Sequence, residues 1–221
     1  VTLTVAGNNV AANADVEFTI SGVSVPSGIT GGAGTATASL KTGATAYDTG
    51  SLVVSDITAG TLATATFTTA AAQTPGLKSI ATLGFTTVGS AAIGGKIVLT
   101  LPTDASVATP QGYGFETPVA TFTAPAALPT ATGGDTAFAA SALSMTISAN
   151  AIATGAAVSV GVTNCHNPSG ALAAQQTFTL KTTDAADQSI DTVTVTAPAV
   201  AADTLGTATF ATAAAATPGL K

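Results

Sequence analysis

Arginine and tryptophan are absent from this sequence, and cysteine, histidine and methionine occur once each. Nucleic acid is a poor partner for such a chain, because phosphate neutralisation needs clustered basic groups and here five lysines are spread over 221 residues. A single cysteine excludes an internal disulfide, and one cysteine with one histidine falls short of the three or four ligands that zinc takes. Charged residues make up only 7% of the chain, and the net charge of −6 comes from scattered acids rather than a block, so it points to no electrostatic partner. No apolar run reaches the roughly 18 residues of a spanning helix, since Thr, Ser, Asn or Asp interrupts each one; no membrane insertion is expected. No Asn-x-Ser/Thr glycosylation acceptor occurs either, because Asn167 is followed by Pro168.

What fills the sequence instead is alanine, threonine, glycine, serine and valine, with 46% hydrophobic residues and a mean hydropathy of +0.52. That composition is too apolar for a disordered chain. The sequence begins at Val1 with no Met and no apolar leader, which suggests a processed secreted protein or a segment of a longer one.

Self-similarity is the strongest signal. Residues 61–78, TLATATFTTAAAQTPGLK, return as residues 204–221, TLGTATFATAAAATPGLK, with 15 of 18 positions identical at a spacing of 143. Upstream the match continues more weakly. Leu3-Thr-Val5 matches Met145-Thr-Ile147, and Val10 matches Ile152. Val16, Phe18 and Ile20 match Val158, Val160 and Val162. Pro26-Ser-Gly28 matches Pro168-Ser-Gly170, and Ser39-Leu-Lys-Thr42 matches Thr179-Leu-Lys-Thr182. The chain therefore holds about one and a half repeats of 143 residues.

Within the repeat, apolar residues alternate with Thr or Ser, the mark of a half-buried strand. The alternation runs through Val16/Phe18/Ile20, Ala81/Leu83/Phe85, Ile97/Leu99/Leu101, Ala120/Phe122/Ala124, Val158/Val160/Val162, Phe178/Leu180 and Val193/Val195. Gly31-Gly32, Gly94-Gly95, Gly133-Gly134, Asn167-Pro168 and Asp187-Gln188 read as turns. About eight strands fit into residues 60–203, without room for crossover helices. The fold class expected is all-β, as antiparallel Ig-like β-sandwich repeats. Residues 1–59 would be the later strands of an incomplete domain, 60–203 a complete sandwich, and 204–221 the first strand of a next unit or an inter-subunit strand.

Leu83-Gly-Phe-Thr-Thr-Val88, Gly95-Lys-Ile-Val-Leu-Thr-Leu-Pro102, Ala120-Thr-Phe-Thr-Ala-Pro125, Thr163-Asn-Cys-His-Asn-Pro168 and Thr177-Phe-Thr-Leu-Lys-Thr-Thr-Asp184 together resemble the Thr/Ala-rich tandem Ig-like repeats of large secreted proteins in algae and microbes. The resemblance covers nearly the whole repeat. It implies an extracellular or cell-surface structural role and brings no catalytic residue with it.

Few residues offer chemistry. Cys165-His166 is the one place where two reactive side chains adjoin, but neighbours in an extended segment point to opposite sides, and the first copy carries Ser24-Val25 there; a loop position is expected. Asp184, Asp187 and Asp191 could offer oxygens to calcium, yet their spacing is not that of a calcium loop and the first copy answers mainly with Asp48, so solvated turn acids are expected. Gly31-Gly32-Ala-Gly34 and Gly94-Gly95 open no helix and lack the Lys-Ser/Thr ending of a phosphate loop. No Gly-x-Ser-x-Gly elbow occurs. No catalytic residue, metal site or cofactor is assigned, and an enzyme is not expected.

A structural subunit of an extracellular fibril or cell-surface filament is the function expected, assembled through β-strand complementation between subunits or as a tandem-repeat array, with copies of itself as partner and O-linked sugars on exposed threonines. An incomplete domain at one end and a spare first strand at the other suit strand donation between subunits, as in donor-strand pili. Thr2, Leu3, Thr4 and Val5, or Thr207, Thr209 and Phe210, are the assembly-strand candidates, the N-terminal set preferred because a free end inserts without threading. The alternative is an adhesin or carbohydrate-binding repeat, for which Tyr47, Tyr113 and Phe115 are the aromatic candidates and Gln111–Glu116 the best loop. Ice binding ranks last, for want of a strict short Thr-x-Thr repeat.

Overall fold

A computed structural model describes residues 4, 10–11, 14–17, 19–21, 35–53, 56–70, 74–101, 112–124, 136–171, 177–202 and 209. Among these residues the protein is all-β, without a helix. In chain order the strands are β1 (Thr35–Thr42), β2 (Thr45–Val53), β3 (Gly60–Thr61), β4 (Ala63–Thr69), β5 (Lys78–Thr86), β6 (Lys96–Thr100), β7 (Gly114–Phe115), β8 (Ala120–Ala124), β9 (Thr136–Ala139), β10 (Ala142–Thr146), β11 (Ala157–His166), β12 (Thr177–Thr183) and β13 (Ser189–Thr196).

Strands β3 to β13 build two sheets. One runs β3-β13-β12-β6-β10-β9; the other runs β4-β5-β11-β7, with β8 also on β11. Pairing is antiparallel except between β13 and β3, where Asp191 and Thr192 meet Gly60 and Thr61 in parallel. The alternation places one face of each strand inward. Ala81, Leu83 and Phe85 of β5 lie opposite Val162, Val160 and Val158 of β11. In the other sheet Leu99 of β6 lies between Leu143 of β10 and Leu180 of β12. All of these are buried and belong to one apolar cluster shared by both sheets. Aromatic contacts close the gap: Phe67 of β4 meets Phe178 of β12 edge-on with ring centres 4.5 Å apart, and Tyr113 packs edge-on against both at 5.6 Å. Such pairs contribute about 0.5–1.5 kcal/mol each beyond the area they bury.

Among the described residues of 60–203, eleven strands stand where about eight were expected. The surplus includes β3 and β7, which have two residues each and are too short to show alternation. The β9–β10 connection also escapes the sequence signals, since Ala140 and Ser141 carry φ of 48° and 64°, a left-handed pair made without glycine or asparagine. Turns stand at Ile93-Gly94 and Ala185-Ala186, one to two residues before the expected Gly94-Gly95 and Asp187-Gln188, whereas Gly31-Gly32 and Gly133-Gly134 lie outside the described residues.

Strands β1 and β2 form a separate two-stranded hairpin. Its connection, Gly43-Ala44, has Gly43 at φ 59°, the Gly-X arrangement of a tight II′ turn. Every residue from 36 to 53 is exposed. The expected strand through Val16, Phe18 and Ile20 is not found: Val16 and Ile20 are exposed and outside any strand, and Phe18 lies outside the described residues. Their counterparts Val158, Val160 and Val162 are held between β5 and β8, and nothing in residues 1–59 repeats those two strands.

Candidate functional site

Cys165 and His166 are the last two residues of β11, not a loop as expected, because β5 and β7 pair with them on either side. A bulge after Val162, with Asn164 at φ 57°, re-aims this end of the strand. The Cys165 side chain is buried, and burial pushes its thiol up to about 12, so it stays protonated at neutral pH. The His166 ring lies on the opposite side against Gly114, where an added Cβ would come within 2.4 Å of it. Nucleophile and base therefore do not face one another.

Tyr113 donates its hydroxyl to the Pro198 carbonyl at 2.9 Å. Burial, and then Cys165 nearby, raises the phenol to about 12. Phe115 is buried as well and meets Phe138 across the core. Of the three aromatics considered for a sugar site, only Tyr47 is open to solvent. Beside this strand end Lys78 forms an ion pair with Glu116, which holds the Glu116 carboxyl below its usual range.

The three clustered acids do three different things. Asp184 accepts the backbone N–H groups of Ala186 and Gln188 at 2.9 and 2.8 Å and so ties its own turn. Asp187, at φ 62°, accepts Lys96 Nζ at 2.7 Å. Asp191 is not a solvated turn acid. It is 1% exposed, within β13, and its carboxylate receives the N–H groups of Val88 and Gly89 at 2.9–3.1 Å. A Cβ at Gly60 would come within 2.2 Å of its Oδ1, and one at Gly89 within 2.4 Å of Ile190 Cγ2. Gly60 thus leaves room for this carboxylate, and Gly89 lets the backbone come close enough to donate to it. Among the described residues no group of three or more His, Cys, Asp or Glu is placed to hold a metal ion.

The chain matches no family model, no curated protein and no solved structure. Its surface is then the guide. Hairpin β1–β2 carries Ala36, Ala38 and Leu40 opposite Leu52, Gly50 and Asp48 on one face, with Leu40 and Leu52 exposed. Ser39-Leu-Lys-Thr42 repeats Thr179-Leu-Lys-Thr182 of β12, and aligning back from the 61/204 match sets Asp48, Thr49 and Leu52 on Asp191, Thr192 and Val195 of β13. The hairpin is the sequence counterpart of β12–β13. In that pair Phe178, Leu180, Thr182, Asp191 and Val195 are buried.

Of the assembly-strand residues, Thr4 and Thr209 are exposed and outside any strand. Thr2, Leu3, Val5, Thr207 and Phe210 lie outside the described residues. Sequence reasoning missed the buried role of Asp191, because its partners are some hundred residues away. It passed over the hairpin face as well, although the match of Leu40 to Leu180 signalled it.

Proposed function

We propose that this protein is the structural subunit of an extracellular fibril or cell-surface filament, its copies joined by β-strand complementation or set in a tandem array. One observation carries the reading: β1–β2 exposes a face whose counterpart in β12–β13 is buried. Apolar strand faces and open edges left in water are costly and invite pairing with another chain. On this reading the two facing sheets of residues 60–203 are an Ig-like β-sandwich, and residues 1–59 are part of a second such domain. Thr-rich outer faces, such as the exposed Thr179 and Thr194 of β12 and β13, are the sites for O-linked sugars. The adhesin alternative weakens once Tyr113 and Phe115 are buried. Sedimentation velocity over a wide concentration range tests the reading. Growth to large, regular species with concentration is expected, and an unchanging monomer would reject complementation between copies.

A further inference from the structure

We propose that hairpin β1–β2 is the acceptor for residues 203–212 of a second copy of this chain. The proposal rests on the self-association reading above and adds the donor, the acceptor and their register. In the complete unit, β12–β13 has β6 along one edge and β3 along the other, while β4 lies over its apolar face through the Phe67–Phe178 contact. Strand β3 joins in parallel, Asp191 to Gly60 and Thr192 to Thr61.

The chain contains these parts twice. Thr204–Thr212 repeats residues 61–69, which hold the end of β3 and all of β4, with Leu205 for Leu62 and Phe210 for Phe67. Carrying the observed pairing to the counterparts sets Asp203 and Thr204 beside Asp48 and Thr49, in parallel. It also sets Phe210 over Ala38, the counterpart of Phe178. The residues of the clasp that follows β4 recur in the sequence too. Gly76 donates its N–H to the Pro168 carbonyl at 2.8 Å, and the matching residues are Gly219 and Pro26. The donor is named by its sequence, since apart from Thr209 it lies outside the described residues. Residues 36–53 are exposed, and the proposal takes their occupant from another copy. Donation from the end of one chain to the hairpin of the next is head-to-tail, and it builds an open filament unless the rotation closes a ring.

One substitution opposes the pairing and makes it testable. Asp203 stands where the first copy has Gly60, which brings beside Asp48 both a second carboxylate and the Cβ that Gly60 lacks. Like charges placed directly opposite weaken a strand pair.

The experiment mixes full-length Thr49→Cys chains with full-length Thr204→Cys chains under mild oxidation and maps the bond by peptide mass spectrometry. A 49–204 bond between chains is expected, with none when Thr45→Cys replaces Thr49→Cys. Asp203→Gly is expected to tighten association about threefold, and Phe210→Asp to weaken it more than about tenfold, with β-sheet circular dichroism unchanged in both. Filaments that form without the 49–204 bond, and indifferently to Asp203→Gly, would overturn this register and leave the filament reading standing. A bond formed only within doubly substituted single chains would overturn donation between copies. Absence of both filaments and bond would overturn both.

Discussion

Gly89 donates its backbone N–H to both oxygens of the Asp191 carboxylate, at 3.1 and 2.9 Å, and so fastens the connection after β5 to the middle of β13. Val88 adds a third bond at 3.0 Å, and the Asp191 N–H itself reaches Thr182 Oγ1 at 3.2 Å. Removing the carboxylate takes the acceptor from two part-buried backbone donors. Leaving a buried polar group unsatisfied costs about 1–3 kcal/mol, and with these donors only partly shielded Asp191→Ala is expected to lower the free energy of unfolding by about 1–3 kcal/mol. The counterpart Asp48 is exposed, and Asp48→Ala should cost less than about 0.5 kcal/mol. Urea unfolding of the two variants checks the contrast; equal losses would contradict it.

The turn between β9 and β10 offers a gain. Ala140 and Ser141 both adopt left-handed backbone, which costs an ordinary residue about 1–2 kcal/mol. Replacing the pair by Asn-Gly, the residues this two-residue turn prefers, should raise stability by about 1 kcal/mol and increase the melting temperature by a few degrees. A lower melting temperature would show that the two side chains make contacts that outweigh the strain.

Alkaline pH should unfold the protein through Cys165 and Tyr113. Both are held neutral by burial, the thiol raised from 9.0 and the phenol from 10.0, each to about 12. A group whose folded pKa is raised contributes its full stability below the unfolded pKa and loses it as pH climbs through the folded one. Stability is therefore expected to hold to about pH 9 and to fall between there and pH 12, by at most about 1.4 kcal/mol per pH unit for the buried thiol and by less for the phenol. Urea midpoints measured across that range test this. At pH 8 a thiol reagent should leave Cys165 unmodified until urea is added; rapid labelling of the native protein would contradict its burial.

Much of this was legible in the chain. Alternation marks β5, β6, β11 and β12 because each has at least five residues with one face in a shared core. Strand β7 is two residues held by Cys165 and His166, and no local pattern announces it. Asp191 reads as one more acid in an acidic stretch until the fold brings Val88 and Gly89 to it. Val16 and Ile20 show the opposite failure: they have the right period, yet they are exposed and outside any strand, because a period buries a residue only where strands pair beside it.

Sugars on exposed threonines would add mass to a surface with few charges. Threonine-bearing peptides of the protein isolated from its natural source are expected to carry the added mass of whole sugar residues, as read by peptide mass spectrometry. Peptides that all weigh what their bare sequence predicts would remove glycans from the account.

Electron microscopy of the purified 221-residue protein in negative stain tests the central claim most directly. Long filaments of uniform width with an axial repeat are predicted, and a field of dispersed single particles at every concentration would contradict it.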